Sequence, residues 1–62
     1  MNYIRQYYRV PAKRGGRIKY LGGTGGPRFG TIKSAKGPHL RILLDGDRWP
    51  GHFHPTWKLE YL

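Results

Sequence analysis

The sequence contains no cysteine and only three acidic residues among its 62 positions. Without cysteine there is neither the disulfide framework that small secreted domains commonly need nor a thiolate ligand for zinc. No apolar run approaches the roughly 20 residues of a transmembrane helix, and the first residues lack the apolar core of a signal peptide. These absences predict one small cytoplasmic domain that is not attached to a membrane and is held together by its own core.

The scarcity of acids also limits the catalytic chemistry that the chain can perform. General acid–base catalysis uses paired titratable groups in a cleft. The carboxylates here are Asp45, Asp47 and Glu60, and the first two fall in one predicted turn. A chain this short also buries only about 60% of the surface that its unfolded form exposes, which leaves little room for a pocket. We therefore predict that the protein is not an enzyme.

Two motifs suggest a cofactor or a metal, and neither is complete. Gly25 and Gly30 have the spacing of the two glycines of a P-loop, but Thr31-Ile32 occupies the place of the required Lys-Ser/Thr pair. His52 and His54 are spaced to share one face of a strand, yet no convincing third ligand accompanies them. We predict no cofactor and no metal site.

What the chain has in excess is positive charge. Twelve Lys and Arg against three acids give a net charge of +9. Residues 1–36 hold nine of the basic residues and no acid, whereas residues 37–62 hold three of each sign. So one-sided an excess is typical of a protein that binds a polyanion, usually a nucleic acid. The alternative is that the charge serves solubility alone.

Five short segments combine strand-forming residues with alternation, and turn residues separate them. The predicted strands cover residues 17–21, 29–34, 39–45, 49–54 and 58–62. Asp45-Gly46-Asp47 predicts a hairpin turn, and Pro55-Thr56-Trp57 predicts a single 3₁₀ turn before the last strand. Gly30 is expected at a bulge or a close approach. The predicted core consists of Ile18, Ile32, Leu40, Ile42, Leu44, Phe53, Trp57 and Leu59.

The number and order of these segments indicate an all-β domain, a small five-stranded SH3-like barrel with a single-turn 3₁₀ helix before its last strand. Curling the sheet onto itself hides the edges that so small a β-protein would otherwise expose. The competing architecture is an open three-stranded sheet with disordered ends. Residues 1–11 are predicted as an N-terminal arm or short extra element and 12–62 as the barrel domain. Hydrophobic periodicity does not decide between helix and strand for residues 2–10.

The segment 17–34 resembles the KOW-type core of SH3-like domains in transcription elongation and ribosomal proteins. It has an alternating strand with Ile18 and Tyr20, a glycine at Gly22 or Gly23, the basic loop Pro27-Arg28, and the strand Gly30-Thr31-Ile32. The remainder, which ends in His-Pro-Thr-Trp-Lys-Leu-Glu-Tyr-Leu, is similar to short uncharacterised phage and bacterial proteins. The KOW resemblance implies a non-catalytic module that binds RNA or protein. It implies that the basic residues beside the glycine turns make contact, namely Arg17, Lys19, Arg28 and Lys33.

The leading functional hypothesis is a nucleic-acid-binding module, for RNA or DNA, that contacts phosphates through its basic N-terminal half. Lys and Arg release counterions from phosphates, and exposed aromatics stack on the bases of single strands. The predicted phosphate-binding residues are Arg5, Arg9, Lys13, Arg14, Arg17, Lys19, Arg28 and Lys33. Tyr3, Tyr7 and Tyr8, among arginines, and Trp49, beside Arg48, are predicted to stack on bases, although the tyrosines could equally pack the end of the barrel.

The alternative function is a protein-interaction module that docks on an acidic partner surface. SH3-like barrels bind peptides through aromatic grooves. Such a groove would involve Trp49, His52 and Phe53. Oligomeric state does not follow from the sequence.

Overall fold

Five strands form one antiparallel sheet in the computed structural model, which describes residues 1–62 without a gap. A short helix precedes the strands, and no helix is both long and apolar enough to cross a membrane. The elements are α1 (Asn2–Tyr8), β1 (Arg17–Tyr20), β2 (Arg28–Lys36), β3 (His39–Leu44), β4 (Gly51–Phe53) and β5 (Leu59–Tyr61). The prediction of five β-strands is therefore confirmed.

The strands are arranged in the order β4-β3-β2-β1-β5. β1 to β4 form a meander, and the chain then returns so that β5 pairs with the free side of β1, with Ile18 opposite Tyr61 and Tyr20 opposite Leu59. β4 and β5 have one hydrogen-bonded neighbour each, so the sheet is not closed. All five strands are paired, unlike the open three-stranded alternative.

The core lies on one face of the sheet because side chains alternate between the two faces of each strand. Five of its seven buried apolar residues come from the three central strands, and the other two come from the chain before β1. Tyr20, Phe53, Leu59 and Tyr61 are partly buried around this cluster. The fully buried cluster consists of Ile4, Ala12, Ile18, Ile32, Leu40, Ile42 and Leu44.

Residues 2–8 form a helix that covers the core. Ile4 is 1% exposed within the cluster, and the Arg5 guanidinium donates a hydrogen bond of 2.9 Å to the Ala12 carbonyl oxygen, which fixes the helix against the following segment. The helix ends at Tyr8, and the next residue, Arg9, caps it in the left-handed conformation with φ 56°. Pro11 then favours an extended backbone at the residue before it. The first eleven residues are thus a docked helix and its connection rather than a free arm.

The connection between β4 and β5 contains the predicted single turn, closed by a hydrogen bond of 3.2 Å from Trp57 N to His54 O, but this turn is not a 3₁₀ helix. Trp57 was expected in the core, but it is 56% exposed and the Lys58 ammonium lies 5.8 Å from its ring centre. Pro55 takes the buried position instead. A positive φ of 56° at Lys58 then redirects the chain into β5.

β4 is shorter than predicted because Pro50 has no backbone N–H to contribute to a ladder. The strand begins at Gly51, so Trp49 lies in the loop of residues 45–50. Asp45-Gly46-Asp47 does form a turn, with Asp47 N bonded to Leu44 O at 2.9 Å and Gly46 at φ 92°. A six-residue loop rather than a tight hairpin therefore joins β3 to β4.

Gly30 lies in β2 facing the core, where the neighbouring strand approaches closely. A Cβ atom there would lie 2.9 Å from the Leu43 carbonyl oxygen and 3.0 Å from side-chain atoms of Ile42 and Leu44. The prediction of a close approach is confirmed, whereas the bulge lies farther along β2, between Ile32 and Ser34.

Gly30→Ala is expected to lower the free energy of unfolding by about 1–3 kcal/mol, the range for overpacking a filled core. Gly25→Ala is the matched control, because a Cβ at Gly25 meets nothing within 4 Å. Urea denaturation of the two variants measures the difference. Equal stabilities would contradict the close packing around Gly30.

Tyr61 links β5 to Pro55, the one buried residue of the β4–β5 turn. Its hydroxyl donates a hydrogen bond of 2.6 Å to the Pro55 carbonyl oxygen, and burial raises the pKa of Tyr61 to about 12. Because burial favours the neutral phenol, this contribution to stability is present below pH about 10 and is lost as the pH rises through about 12.

Tyr61→Phe is expected to remove the phenolate absorbance step near pH 12 and to lower stability at neutral pH by about 0.5–1.5 kcal/mol, the usual net value of one hydrogen bond. Alkaline titration followed by ultraviolet absorbance, with denaturation at neutral pH, measures both effects. An unchanged alkaline step would show that another tyrosine titrates there.

Candidate functional site

The basic residues are divided between the two ends of the sheet. We call one the hairpin end: it comprises α1, residues 9–16, the second half of β2 from Ile32, the first half of β3 to Arg41, and residues 52–55. Hydrogen bonds of 2.8 Å from Gly15 N to Ile32 O and 2.9 Å from Ile32 N to Gly16 O bring the segment before β1 to this end. The opposite loop end comprises residues 17–31, 42–51 and 56–62.

All three acids lie at the loop end, where two of them are paired with arginine. Arg17 donates two hydrogen bonds, of 2.9 and 2.6 Å, to the Asp45 carboxylate. Arg28 donates to Asp47 at 2.9 Å and to the Asp45 carbonyl oxygen at 3.0 Å. The third acid, Glu60, is paired in the β-ladder with Lys19. The loop end therefore neutralises much of its own charge.

The hydrogen bond and charge of Arg17 lower the pKa of Asp45, and Asp45 in turn raises the pKa of Arg17. Both side chains are well exposed to solvent, so the pair contributes little to stability. The ion pair instead affects whether these arginines are free to bind phosphate. Arg17 and Arg28, two predicted phosphate-binding residues, already have carboxylate partners, and a phosphate would have to compete with these.

The hairpin end has the opposite character, because it carries only positive charge. It holds seven of the twelve Lys and Arg residues and none of the acids, and neither ion pair of the structure includes any of the seven. The seven residues are Arg5, Arg9, Lys13, Arg14, Lys33, Lys36 and Arg41.

Lys33 reaches this surface through a β-bulge. The register between β2 and β3 shifts between Ile32 and Ser34, which leaves Lys33 without a cross-strand partner. A bulge bends the strand and redirects the side chain that it carries. Lys33 is exposed, and it directly follows Ile32, the residue to which the segment carrying Lys13 and Arg14 is hydrogen-bonded. The fold thus brings the backbone segments that carry these three cations next to each other, and none of the three is in an ion pair.

The structure brings together five of the eight predicted phosphate-binding residues at the hairpin end: Arg5, Arg9, Lys13, Arg14 and Lys33. The Arg5 guanidinium already donates hydrogen bonds within the protein, to the Ala12 carbonyl oxygen and the Asn2 side-chain oxygen, so fewer of its N–H groups are free for a phosphate. Arg17, Lys19 and Arg28 lie at the loop end. Lys36 and Arg41 were missed, although pairing across the β2–β3 hairpin, with Lys36 opposite His39 and Ser34 opposite Arg41, places them here.

An unbroken series of aromatic rings also lies at the hairpin end. Tyr3 and Tyr7 are stacked with ring centres 5.4 Å apart and planes inclined by 14°. Tyr8 meets Tyr7 edge-on at 4.9 Å and His54 at 5.1 Å. His54 lies 6.4 Å from His39. Three of the four predicted stacking residues, Tyr3, Tyr7 and Tyr8, belong to this series, which we call the aromatic series.

Of the predicted partner groove, His52 and Phe53 lie on opposite faces of β4, and Trp49 lies in the loop before it. Trp49 is 76% exposed in the loop before β4. Phe53 faces the core, where its ring meets Tyr20 edge-on at 4.9 Å, and His52 points to the opposite face because neighbouring strand residues alternate. The chain has no pocket, and no group of three or more His, Cys, Asp or Glu residues is arranged to hold a metal ion.

Comparison of the chain with protein-family models, with curated proteins and with solved structures finds no match in any of the three. The resemblance of residues 17–34 to a KOW-type core therefore stays an expectation.

Proposed function

We propose that this chain is a non-enzymatic nucleic-acid-binding module whose hairpin end contacts backbone phosphates. The observation that carries the proposal is the separation of charge by the fold: seven cations and no acid lie at one end, and every acid lies at the other. A chain that carried charge only for solubility would not need to separate the signs.

The electrostatics of this arrangement favour a polyanion. Clustered charge of one sign raises the local concentration of oppositely charged ligands and accelerates their association. Each cation that neutralises a phosphate releases condensed counterions, which gives affinity without base specificity. Because the carboxylates lie at the far end and two are held by Arg17 and Arg28, repulsion between carboxylate and phosphate is small at the hairpin end.

The finer fold proposal is an SH3-like barrel of the KOW type. The return of β5 to pair with β1 supports it, as do the long β1–β2 connection and the tight turn between β2 and β3. In that turn Gly37 has a positive φ of 57° and Pro38 follows, which is the pattern of a type II′ hairpin. Closure would require β4 and β5, the two edge strands, to approach each other. In such a module we expect a cytoplasmic location.

A salt titration of binding to DNA and RNA oligonucleotides tests the proposed function. We expect binding at low salt, with the logarithm of the association constant falling linearly with the logarithm of the salt concentration. The slope is expected to be about −0.7 to −0.9 per phosphate contact. The absence of binding to either nucleic acid at low salt would refute the proposal.

Docking on an acidic protein surface is the second candidate, and the exposure of Trp49 favours it. At 76% exposed, Trp49 is the most exposed large hydrophobic side chain of the molecule, and Trp is enriched among residues that dominate binding interfaces. Affinity capture from a nuclease-treated lysate separates the two functions. Partners that persist after nuclease and depend on Trp49 would support docking, and their loss would favour nucleic acid.

A further inference from the structure

The aromatic series on the hairpin end suggests which form of nucleic acid binds there. We propose that this end binds single-stranded nucleic acid, with bases stacking on the ring pair of Tyr3 and Tyr7 while the surrounding cations contact phosphates. The inference rests on the proposed function and adds to it the strandedness of the ligand and the side chains that recognise it.

Tyr3 and Tyr7 form a stacked pair of rings, which we call the platform, on which a base can stack. They lie one helical turn apart on α1, so their rings stack nearly parallel, with centres 5.4 Å apart. The two residues are 58% and 67% exposed. Every base has a π-face, so stacking on exposed aromatics tolerates any sequence, but it requires a base that is not already stacked within a duplex.

The platform is held in place before any ligand arrives. Ile4, on the inner side of the same helix, is buried in the core. Tyr8 is partly buried against that core and contacts both Tyr7 and His54 edge-on. The Arg5 bond to the Ala12 carbonyl oxygen fixes the helix to the next segment. A fixed platform loses little conformational entropy when it binds, which favours affinity.

The charge around the platform matches a nucleic-acid backbone. The helix contains no acid, Arg9 follows it directly, and the basic segment with Lys13 and Arg14 comes next. Stacking rings among cations are the combination that single-strand binding proteins use. Trp49 is more exposed than either tyrosine but lies in the loop that holds Asp45 and Asp47, so we assign the stacking to the helix.

The test measures the affinity of labelled oligonucleotides by fluorescence anisotropy. The probes are oligothymidylate, oligouridylate and a DNA duplex, each of about 12 nucleotides per strand, a length within the site sizes of small single-strand binding domains. We expect both single strands to bind more tightly than the duplex at equal salt. The two single strands together show whether DNA or RNA is preferred.

Tyr7→Ala is expected to lower the affinity for single strands about 5- to 150-fold, the range that the loss of one base–aromatic contact covers. Its affinity for the duplex and its salt slope should not change. Tyr7→Phe keeps the ring and should bind like the unaltered protein. Trp57→Ala is the matched control, since it removes an exposed aromatic side chain from the loop end and should leave the affinity unchanged. Circular dichroism checks that each variant is folded.

Equal affinity of Tyr7→Ala and the unaltered protein for single strands would overturn the inference, as would equal affinity for single strands and duplex. In either case, salt-dependent binding that persists leaves the proposed function standing. If no probe binds at low salt, the proposed function itself fails and the inference fails with it.

Discussion

Ile4→Ala is expected to lower the free energy of unfolding by about 2–5 kcal/mol, the range for truncating a buried isoleucine to alanine. Ile4 is 1% exposed and belongs to the central apolar cluster. A single core in a chain of this size rarely supplies more than about 3–5 kcal/mol, so the variant is expected to be largely unfolded at room temperature. Thermal unfolding followed by circular dichroism measures this loss.

A milder variant keeps the test quantitative where the alanine variant does not fold. Ile4→Val is expected to cost about 0.5–1.5 kcal/mol. Gln6→Ala is the control on the same helix, because Gln6 is exposed and a surface change of this kind stays within about 0.5 kcal/mol. If Ile4→Ala were no more destabilising than Gln6→Ala, the first residues would be a free arm and not part of the core.

The sequence alone could not place this helix because two patterns overlap within it. Ile4 and Tyr8 lie at helical spacing on the side that faces the core, and Tyr3 and Tyr7 lie at the same spacing on the exposed side. Tyrosine also favours strands, so the composition of residues 2–10 indicates a strand whereas the spacing of their apolar side chains fits a helix. The tertiary contact of Ile4 decides between them, and no local pattern contains that contact.

The strands were predictable because alternation and turn residues act locally. β3 shows this best, since Leu40, Ile42 and Leu44 are all buried as their alternation indicates. Trp57 shows the limit of the same reasoning. Its size favours a core position, but a left-handed backbone at Lys58 and the burial of Pro55 leave it exposed. A positive φ at a lysine is uncommon, and the sequence carries no signal for it.

The candidate surface at the hairpin end was only partly predictable, because the distribution of charge along the chain differs from its distribution in space. The acid-free stretch of residues 1–36 predicts one basic surface, yet β1 carries Arg17 away from it to Asp45. Conversely, the pairing of β2 with β3 brings Lys36 and Arg41 to the hairpin end. Their place there follows from the strand register and cannot be deduced from their positions along the chain. The basic surface follows from the topology and not from the N-terminal half as a whole.

The double variant Lys13→Gln/Arg14→Gln is expected to lower the affinity for nucleic acid on the order of fiftyfold at about 0.1 M salt. With a slope of about 0.9 per phosphate contact, the contribution of each contact to the association constant falls roughly eightfold between 0.1 and 1 M salt. The salt slope itself should fall by about two units. Both residues are exposed on the turn that precedes β1, so the fold should not change. Anisotropy titrations over a range of salt concentrations measure both quantities.

The matched control is Arg48→Gln/Lys58→Gln, which removes one Arg and one Lys from the loop end. It lowers the net charge by the same amount, but its residues lie beside the aspartates and next to Leu21, whose N–H is bonded to the Lys58 carbonyl oxygen at 2.8 Å. A ligand held at the hairpin end should lose little affinity in this control. Equal losses in the two double variants would mean that net charge alone attracts nucleic acid. The separation of charge by the fold would then have no functional role.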